Sequence, residues 1–343
     1  RARQTVAIFD GSPLGKIEVI GPQAGDLVDY NSYQTISTLK DGRIRYGLML
    51  TEGGAVYDDG VTVKLADDHY VVSCSSGHVP NVALRLEEWR QDRFDPAKVF
   101  VHNLTPHWAT LTASGPRAKA LVGALSLGVE LDDTALPHMA VASGSFGGGP
   151  ARVARVSFTG DRSYEVSVPA AAAPALWRAM IEAGRALDAV LLGSEALLLL
   201  RAEKGFVVVG KDTDGTTMPH DLGLSGPRDR RKGEFVGKRS LFTDEAVRPD
   251  RRQLIGLTVA DGGPPLPTGG HAVETAQGRR RSAGYVTSSY SSPTLSRPIA
   301  LGLVERGLER IGEEIDVFHL GGMRRAAIAV PCALDPAGER LDA

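Results

Sequence analysis

Cysteine is scarce: 343 residues contain only Cys74 and Cys332. Two thiols build neither a disulfide framework nor a four-ligand zinc site, and a reducing cytoplasm is the compartment this implies. Charge of one sign is also lacking. The formal net charge is -2, so no global field recruits nucleic acid or an anionic membrane. No apolar run approaches the roughly 20 residues that span a bilayer. The densest stretch, Ala189–Leu192 then Ala196–Leu200, is broken by Gly193, Ser194 and Glu195. No charged segment leads into a long apolar one, so no signal peptide is visible, and a chain opening on Arg1 implies a missing beginning.

Cofactor fingerprints are missing as well. No G-x-G-x-x-G follows a strand, and Gly144–Gly149 has the wrong spacing, so no NAD or flavin is expected on this chain in that manner. Gly205-Phe-Val-Val-Val-Gly-Lys-Asp212 fits the frame of a P-loop, but Asp212 replaces the hydroxyl that would bind magnesium. Its Phe and Val residues favour a strand over a phosphate cradle. The eight histidines show no H-x-x-x-H or H-E-x-x-H spacing, so no metal is expected. Only His220, in a polar Met-Pro-His-Asp segment, invites attention.

The composition is that of an ordinary soluble globular protein, 42% hydrophobic and 23% charged, and the length suits two or three domains. Lys16–Ile20 alternates and ends at Gly21-Pro22, a strand followed by a breaker; Val61–Leu65 and Tyr70–Ser73 are predicted strands around a hairpin loop at Ala66–His69. Val82, Leu86 and Trp89 make one apolar stripe of a helix starting near Asn81. Gly21-Pro-Gln-Ala-Gly-Asp-Leu-Val28 and Gly115-Pro-Arg-Ala-Lys-Ala-Leu-Val122 share G-P-x-A-x-x-L-V. They are either two similar strand-to-helix junctions or the marks of two related α+β halves. Gly144–Pro150 reads as a flexible connection, Ala151–Phe158 as a strand, Pro174–Leu187 and Ser194–Lys204 as helices, and Pro227–Lys232 as a basic loop. After Gln253, short strands broken by Gly and Pro predict a small barrel or sandwich.

Asp58-Asp59-Gly60 follows Gly53-Gly54 and reads locally as a turn. Two adjacent acids there can also present one carboxylate to a pocket and the other to solvent. The basic clusters Arg228–Lys232 and Arg279–Arg281 read as solvated surface, or as a site for a polyanionic tail or an acidic partner.

Several segments, in order over nearly the whole chain, resemble the glycine-cleavage aminomethyltransferase (T-protein) family. They are Arg45-Tyr-Gly-Leu-Met-Leu50 with Gly53-Gly54 and Asp58-Asp59, Ser157-Phe-Thr-Gly-Asp-Arg-Ser-Tyr-Glu165, Leu200-Arg-Ala-Glu-Lys-Gly205 with Gly210-Lys-Asp-Thr-Asp214, Glu234-Phe-Val-Gly-Lys238, and Thr287–Leu295. Phe9–Lys16, Arg201–Phe206 and Asp212–Gly215 are similar to the C-terminal half of heterotetrameric sarcosine oxidase alpha subunits.

The resemblance implies an α+β, three-lobed folate-binding fold: residues 1–250 as the folate-binding region of two α+β lobes, and 251–343 as a C-terminal β-barrel domain. It implies tetrahydrofolate as cofactor, flavin-containing amine oxidase subunits as partners, and capture of a methylene group from sarcosine-like amines as 5,10-methylenetetrahydrofolate. It assigns the catalytic acid to Asp59 and cofactor binding to Tyr46, Phe158, Glu165 and Tyr290. Phe158 stands where glycine-cleavage members carry a tyrosine, and Leu197 where several carry an arginine. The alternative is an assembly subunit that has lost folate binding. A related iron–sulfur maintenance branch carries a K-G-C segment, whereas Lys204-Gly205-Phe206 has no cysteine.

Overall fold

The computed structural model describes residues 1–230, 233–259, 263–276 and 278–343. Its first part contains the strands β1 (Ala7–Asp10), β2 (Gly15–Ile20), β3 (Arg43–Leu50), β4 (Val56–Ala66), β5 (His69–Cys74), β6 (Phe100–Asn103), β7 (Trp108–Ser114), β8 (Ala140–Phe146), β9 (Gly149–Arg155), β10 (Ser163–Pro169) and β11 (Val190–Leu191). Between them run the helices α1 (Ala24–Asn31), α2 (Val79–Arg93), α3 (Ala118–Gly123), α4 (Ala173–Arg185) and α5 (Ser194–Glu203). Two short helices follow, α6 (Gly226–Arg230) and α7 (Asp244–Val247).

The eleven strands form one sheet in the order β11-β1-β7-β10-β9-β8-β3-β4-β5-β2-β6. That order is nearly a mirror about the β8/β3 seam, where the register contains the single pair Arg43↔Ala140. On each side the chain runs strand, helix, three strands, helix, so the two halves repeat one plan. The G-P-x-A-x-x-L-V segments mark the same junction in each. Gly21 (φ 116°) and Gly115 (φ 131°) take positive φ. An added Cβ would lie 2.4 Å from the Lys98 carbonyl in one half and 2.5 Å from the Ala2 carbonyl in the other, so only glycine fits. Ala24 N donates to Gly21 O and Ala118 N to Gly115 O, both at 2.9 Å.

Each half covers one face of its strands with helices. Tyr164, Val166, Val168, Leu111 and Ala113 bury against Leu121, Val122, Leu176 and Met180 of α3 and α4. Tyr70, Val72 and Cys74 bury against Leu27, Val82 and Leu86 of α1 and α2. Trp177 and Ile181 of α4 pack only partly against that core.

The predicted C-terminal strands close into a six-stranded antiparallel barrel: β12 (Arg252–Val259), β13 (His271–Ala276), β14 (Arg279–Ser292), β15 (Arg297–Glu305), β16 (Glu314–His319) and β17 (Gly322–Ala329). Buried polar pairs tie it to the first part. Asp212 accepts from Arg201, Thr287 and Ser288, and Arg251 clasps Asp221 at 2.6–3.1 Å.

The structure corrects several sequence expectations. Asp58-Asp59-Gly60 is no turn and lies inside β4. The bend belongs to Gly53-Gly54, where Gly54 has φ 84°. Gly60 is required because a Cβ there would lie 2.1 Å from the Ser73 carbonyl of β5, a close strand approach. Gly144–Pro150 is the tip and flanks of the β8–β9 hairpin, with Gly147 and Gly148 at positive φ. Phe206–Val209 is not a strand; Asp212 accepts from Val208 N at 3.0 Å and folds the segment into turns. Gly226–Arg230 is helical, and Arg231 and Lys232 of that basic cluster lie outside the described residues.

Candidate functional site

The helix-free faces of the two halves carry the candidate residues. Side chains alternate along a strand, so Ser163, Glu165 and Ser167 of β10 face away from α3 and α4. Glu165 pairs with Thr112 of β7 on one side and with Ala154 of β9 on the other. In the other half Thr62 pairs with Val72, which is in the helix-covered core, so Val61 and Asp59 alternate to the free face. Ser73 of β5 and its partner Lys16 of β2 lie on that face too.

These faces look at each other. The charge of Lys16 acts on Glu165, and that of Glu18 acts on Arg152 of β9. The free faces thus carry Tyr46, Asp59 and Lys16 in one half and Glu165 and Arg152 in the other, and we read the space between them as a cleft.

Asp59 pairs with Leu48 on β3, and Tyr46, two residues along β3, donates its phenol to Asp59 Oδ2 at 2.8 Å. Burial pushes the Asp59 carboxyl up to about 6, against the pull of the Tyr46 hydrogen bond and with help from the Asp58 charge. Burial and then the Asp59 charge hold the Tyr46 phenol well above its ordinary pKa, so it stays a donor. Asp59 is therefore an ionised but weakly basic carboxylate at neutral pH, with a fixed donor on one oxygen.

Glu165 differs. Among the described residues no hydrogen bond reaches its carboxylate, and burial raises it to about 7 while Lys16 pulls it back. Lys16 donates Nζ to the carbonyls of Ser12 at 3.0 Å and Leu14 at 2.8 Å, which folds residues 11–14 back toward the cleft. Beside Glu165, the Thr112 hydroxyl is buried without a partner. A desolvated acceptor without donors suits a ligand that presents N–H groups.

Asp58 does not face solvent, as the two-acid reading of the sequence allowed. It is fully buried beneath α2 and accepts from Ser75 N at 3.0 Å and Ser75 Oγ at 2.6 Å. The remaining candidates lie apart. Phe158 is 37% exposed in the turn after β9. Tyr290, on β14, accepts from Lys211 Nζ at 2.8 Å, with that ammonium 5.3 Å from its ring centre. Val209 packs beside the Tyr46 cluster and Val207 beside the Tyr290 cluster, so residues 207–209 lie between the two aromatics. His220 binds the Ala246 carbonyl through Nε2 at 2.8 Å and belongs to the junction with the barrel.

Sequence reasoning missed Lys16 and Thr112. Their signal was the alternation of β2 and β7, legible only once the helix-covered side of each strand is known.

The match with known proteins spans both parts. The model of the GCVT N-terminal domain matches residues 1–227, and that of the glycine cleavage T-protein C-terminal barrel domain matches residues 252–335. The chain belongs to the glycine cleavage T-protein family. It is 35% identical to the sarcosine oxidase subunit alpha of Corynebacterium sp. (strain P-1), over 99% of this chain and 36% of that protein. It is 32% identical to the aminomethyltransferase of Streptomyces coelicolor, over 92% of this chain and 84% of that one. The crystal structure of the glycine cleavage system aminomethyltransferase T from Bartonella henselae shares the fold of this family member, with a TM-score of 0.84 at 24% identity, covering 98% of this chain and 88% of that one. The chain spans about a third of the length of its sarcosine oxidase relatives. Among the described residues, no helix is long and apolar enough to cross a membrane.

Proposed function

We propose that the chain is the tetrahydrofolate-dependent one-carbon transfer module of a sarcosine oxidase-like complex, with flavin-bearing amine oxidase subunits as partners and residues 1–250 as the folate-binding region. The observation that carries this reading is the cleft with two carboxylates in contrasting settings. Glu165 is desolvated and lacks donors, so it suits the N–H-rich edge of a pterin, which a carboxylate accepts bidentately. Asp59 is already oriented by Tyr46.

Bound tetrahydrofolate supplies the nucleophilic amines that take up a methylene group. Glu165 would hold the pterin edge, and Lys16 offsets part of the burial that raises its carboxyl. Asp59 would set a negative charge beside the attacking amine nitrogen, where positive charge develops as that nitrogen bonds to the iminium carbon. In a poorly solvated cleft such a charge acts strongly and needs no reorganisation. Tyr46 fixes the carboxylate's rotamer and neutralises none of its charge.

Titration of the full chain with tetrahydrofolate tests the reading. Ligand at a hundredfold excess over Kd should stabilise the fold by roughly 2.7 kcal/mol. In the assembled complex, oxidation of an N-methyl amine should yield 5,10-methylenetetrahydrofolate. No thermal shift with millimolar reduced folate would favour a non-catalytic assembly role.

A further inference from the structure

One buried nitrogen behind the strand of Asp59 has no partner. His78 ends the short helical turn Ser76–His78 between β5 and α2. Its side chain is 40% exposed, yet Nδ1 is sealed inward and makes no hydrogen bond among the described residues. That atom faces Asp58 Oδ2 at 3.7 Å. The gap is too long for a hydrogen bond and short enough for a small turn of the ring to close. Asp58 is fully buried and already accepts from Ser75 N and Oγ. The ring itself is laid against Tyr57, with centres 5.6 Å apart and 23° between the planes.

Asp58 and Asp59 are neighbours on β4 with opposite outlooks, and the charge of Asp58 raises the Asp59 carboxyl. Several ionisable groups surround His78 and Asp58. β4 supplies Tyr57, β5 supplies Cys74, β2 supplies Lys16, and α2 supplies Arg85 and Glu88, with Glu52 beyond them. Burial pushes the Cys74 thiol up to about 12 and raises the Tyr57 phenol, so both stay neutral near pH 7. Arg85, 4.8 Å from the centre of the Tyr57 ring, is a fixed positive charge. An imidazole is the side chain that gains charge between roughly pH 8 and 5. His78 can therefore add a positive charge beside Asp58 over the range in which Asp59, at about 6, titrates.

We propose that His78 is a positioning residue for Asp59 and acts through Asp58. On gaining a proton its ring closes Nδ1–H onto Asp58 Oδ2, and the cation offsets the negative charge that Asp58 presents to Asp59. Asp59 thereby stays ionised further into acid than burial beside a second carboxylate allows. The consequence for transfer rests on the reading of Asp59 as the acting carboxylate, whereas the electrostatic coupling does not.

Titration of the Asp59 carboxyl carbon by NMR in the unliganded full chain, assigned by its loss in Asp59→Asn, tests the coupling without turnover. His78→Asn sets an amide nitrogen near the place of Nδ1, so a donor is kept, but it gains no proton. The Asp59 midpoint should move to higher pH by roughly half a unit, less than the roughly 1–3 units of a direct ion pair because the effect passes through Asp58. In an Asp58→Asn background the same substitution should leave the midpoint where it is. The acid limb of the single-turnover rate at saturating folate should follow the midpoint in both backgrounds. An unmoved midpoint in His78→Asn, or an equal shift with Asp58 already replaced, would overturn the proposal. A shifted midpoint with an unshifted rate limb would uphold the coupling and contradict the reading of Asp59 as the acting carboxylate.

Discussion

Glu18 and Glu165 occupy matching rows in the two halves. Glu18 pairs with Val71 across β2 and β5, and Thr112 pairs with Glu165 across β7 and β10. The scaffold is the same, but the carboxylate has changed strand and its circumstances have changed with it. Glu18 is satisfied by His69 Nε2 at 2.9 Å and His102 Nδ1 at 3.1 Å. Glu165 has a lysine charge nearby and no donor in contact. A carboxylate already supplied with partners belongs to the architecture. One buried without them costs stability, and a ligand can repay that. The duplicated fold thus provides two similar helix-free faces, and function resides in the few positions where they differ.

The strongest way to break this contrast is Asp59→Asn, which keeps the shape and removes the charge. Transfer should slow roughly 10²–10⁴-fold, measured by single-turnover product formation in the complex, with the thermal midpoint little changed.

Next is Glu165→Gln. Losing a charge-assisted contact should weaken tetrahydrofolate by roughly 10- to 100-fold, from about 1.5–3 kcal/mol. The unliganded protein should behave oppositely. The carboxyl is raised from 4.5 to about 7, so its penalty on the fold grows as pH rises through that window and is complete above it. Glu165→Gln should stabilise the apo chain by about 1–2 kcal/mol at pH 8, allowing for partial solvation, and little at pH 5.

Two substitutions should move the acid limb of activity in opposite directions. Folate binding needs Glu165 ionised and transfer needs Asp59 ionised, so activity at subsaturating folate should rise with pH between about 6 and 7. Lys16→Met removes the charge that lowers Glu165 and should shift the limb to higher pH. Asp58→Asn removes a charge that raises Asp59 and should shift the Asp59 component to lower pH. It should also cost about 1–3 kcal/mol, because Ser75 loses its charged acceptor. The smallest effect is expected of Glu18→Gln, below about 1 kcal/mol in stability and near nil in folate affinity, since its partners are half exposed.

Much of this fold was legible in the sequence, because alternation and glycine–proline punctuation are local. The G-P-x-A-x-x-L-V echo located the duplicated junction, and the spacing after Gln253 located the barrel. The failures share one cause. Asp-Gly in β4 imitates a turn, yet Gly60 is set by the β5 backbone, a tertiary contact that no local rule contains. Asp212 likewise takes its shape from Arg201 and Ser288, the latter 76 residues away from it. Of the site, Asp59, Tyr46 and Glu165 were reached through resemblance. Lys16 stayed hidden because its importance lies in facing Glu165 across the cleft.

The central claim is that the two cleft carboxylates have different tasks, Glu165 binding and Asp59 acting. Measuring both tetrahydrofolate Kd and single-turnover rate at saturating folate for each variant tests it directly. The account predicts that Glu165→Gln raises Kd with the rate largely kept, and that Asp59→Asn lowers the rate with Kd within about threefold of the parent, a difference of under ~0.7 kcal/mol. Equal losses of affinity and rate in both variants, or unchanged affinity in Glu165→Gln, would contradict it.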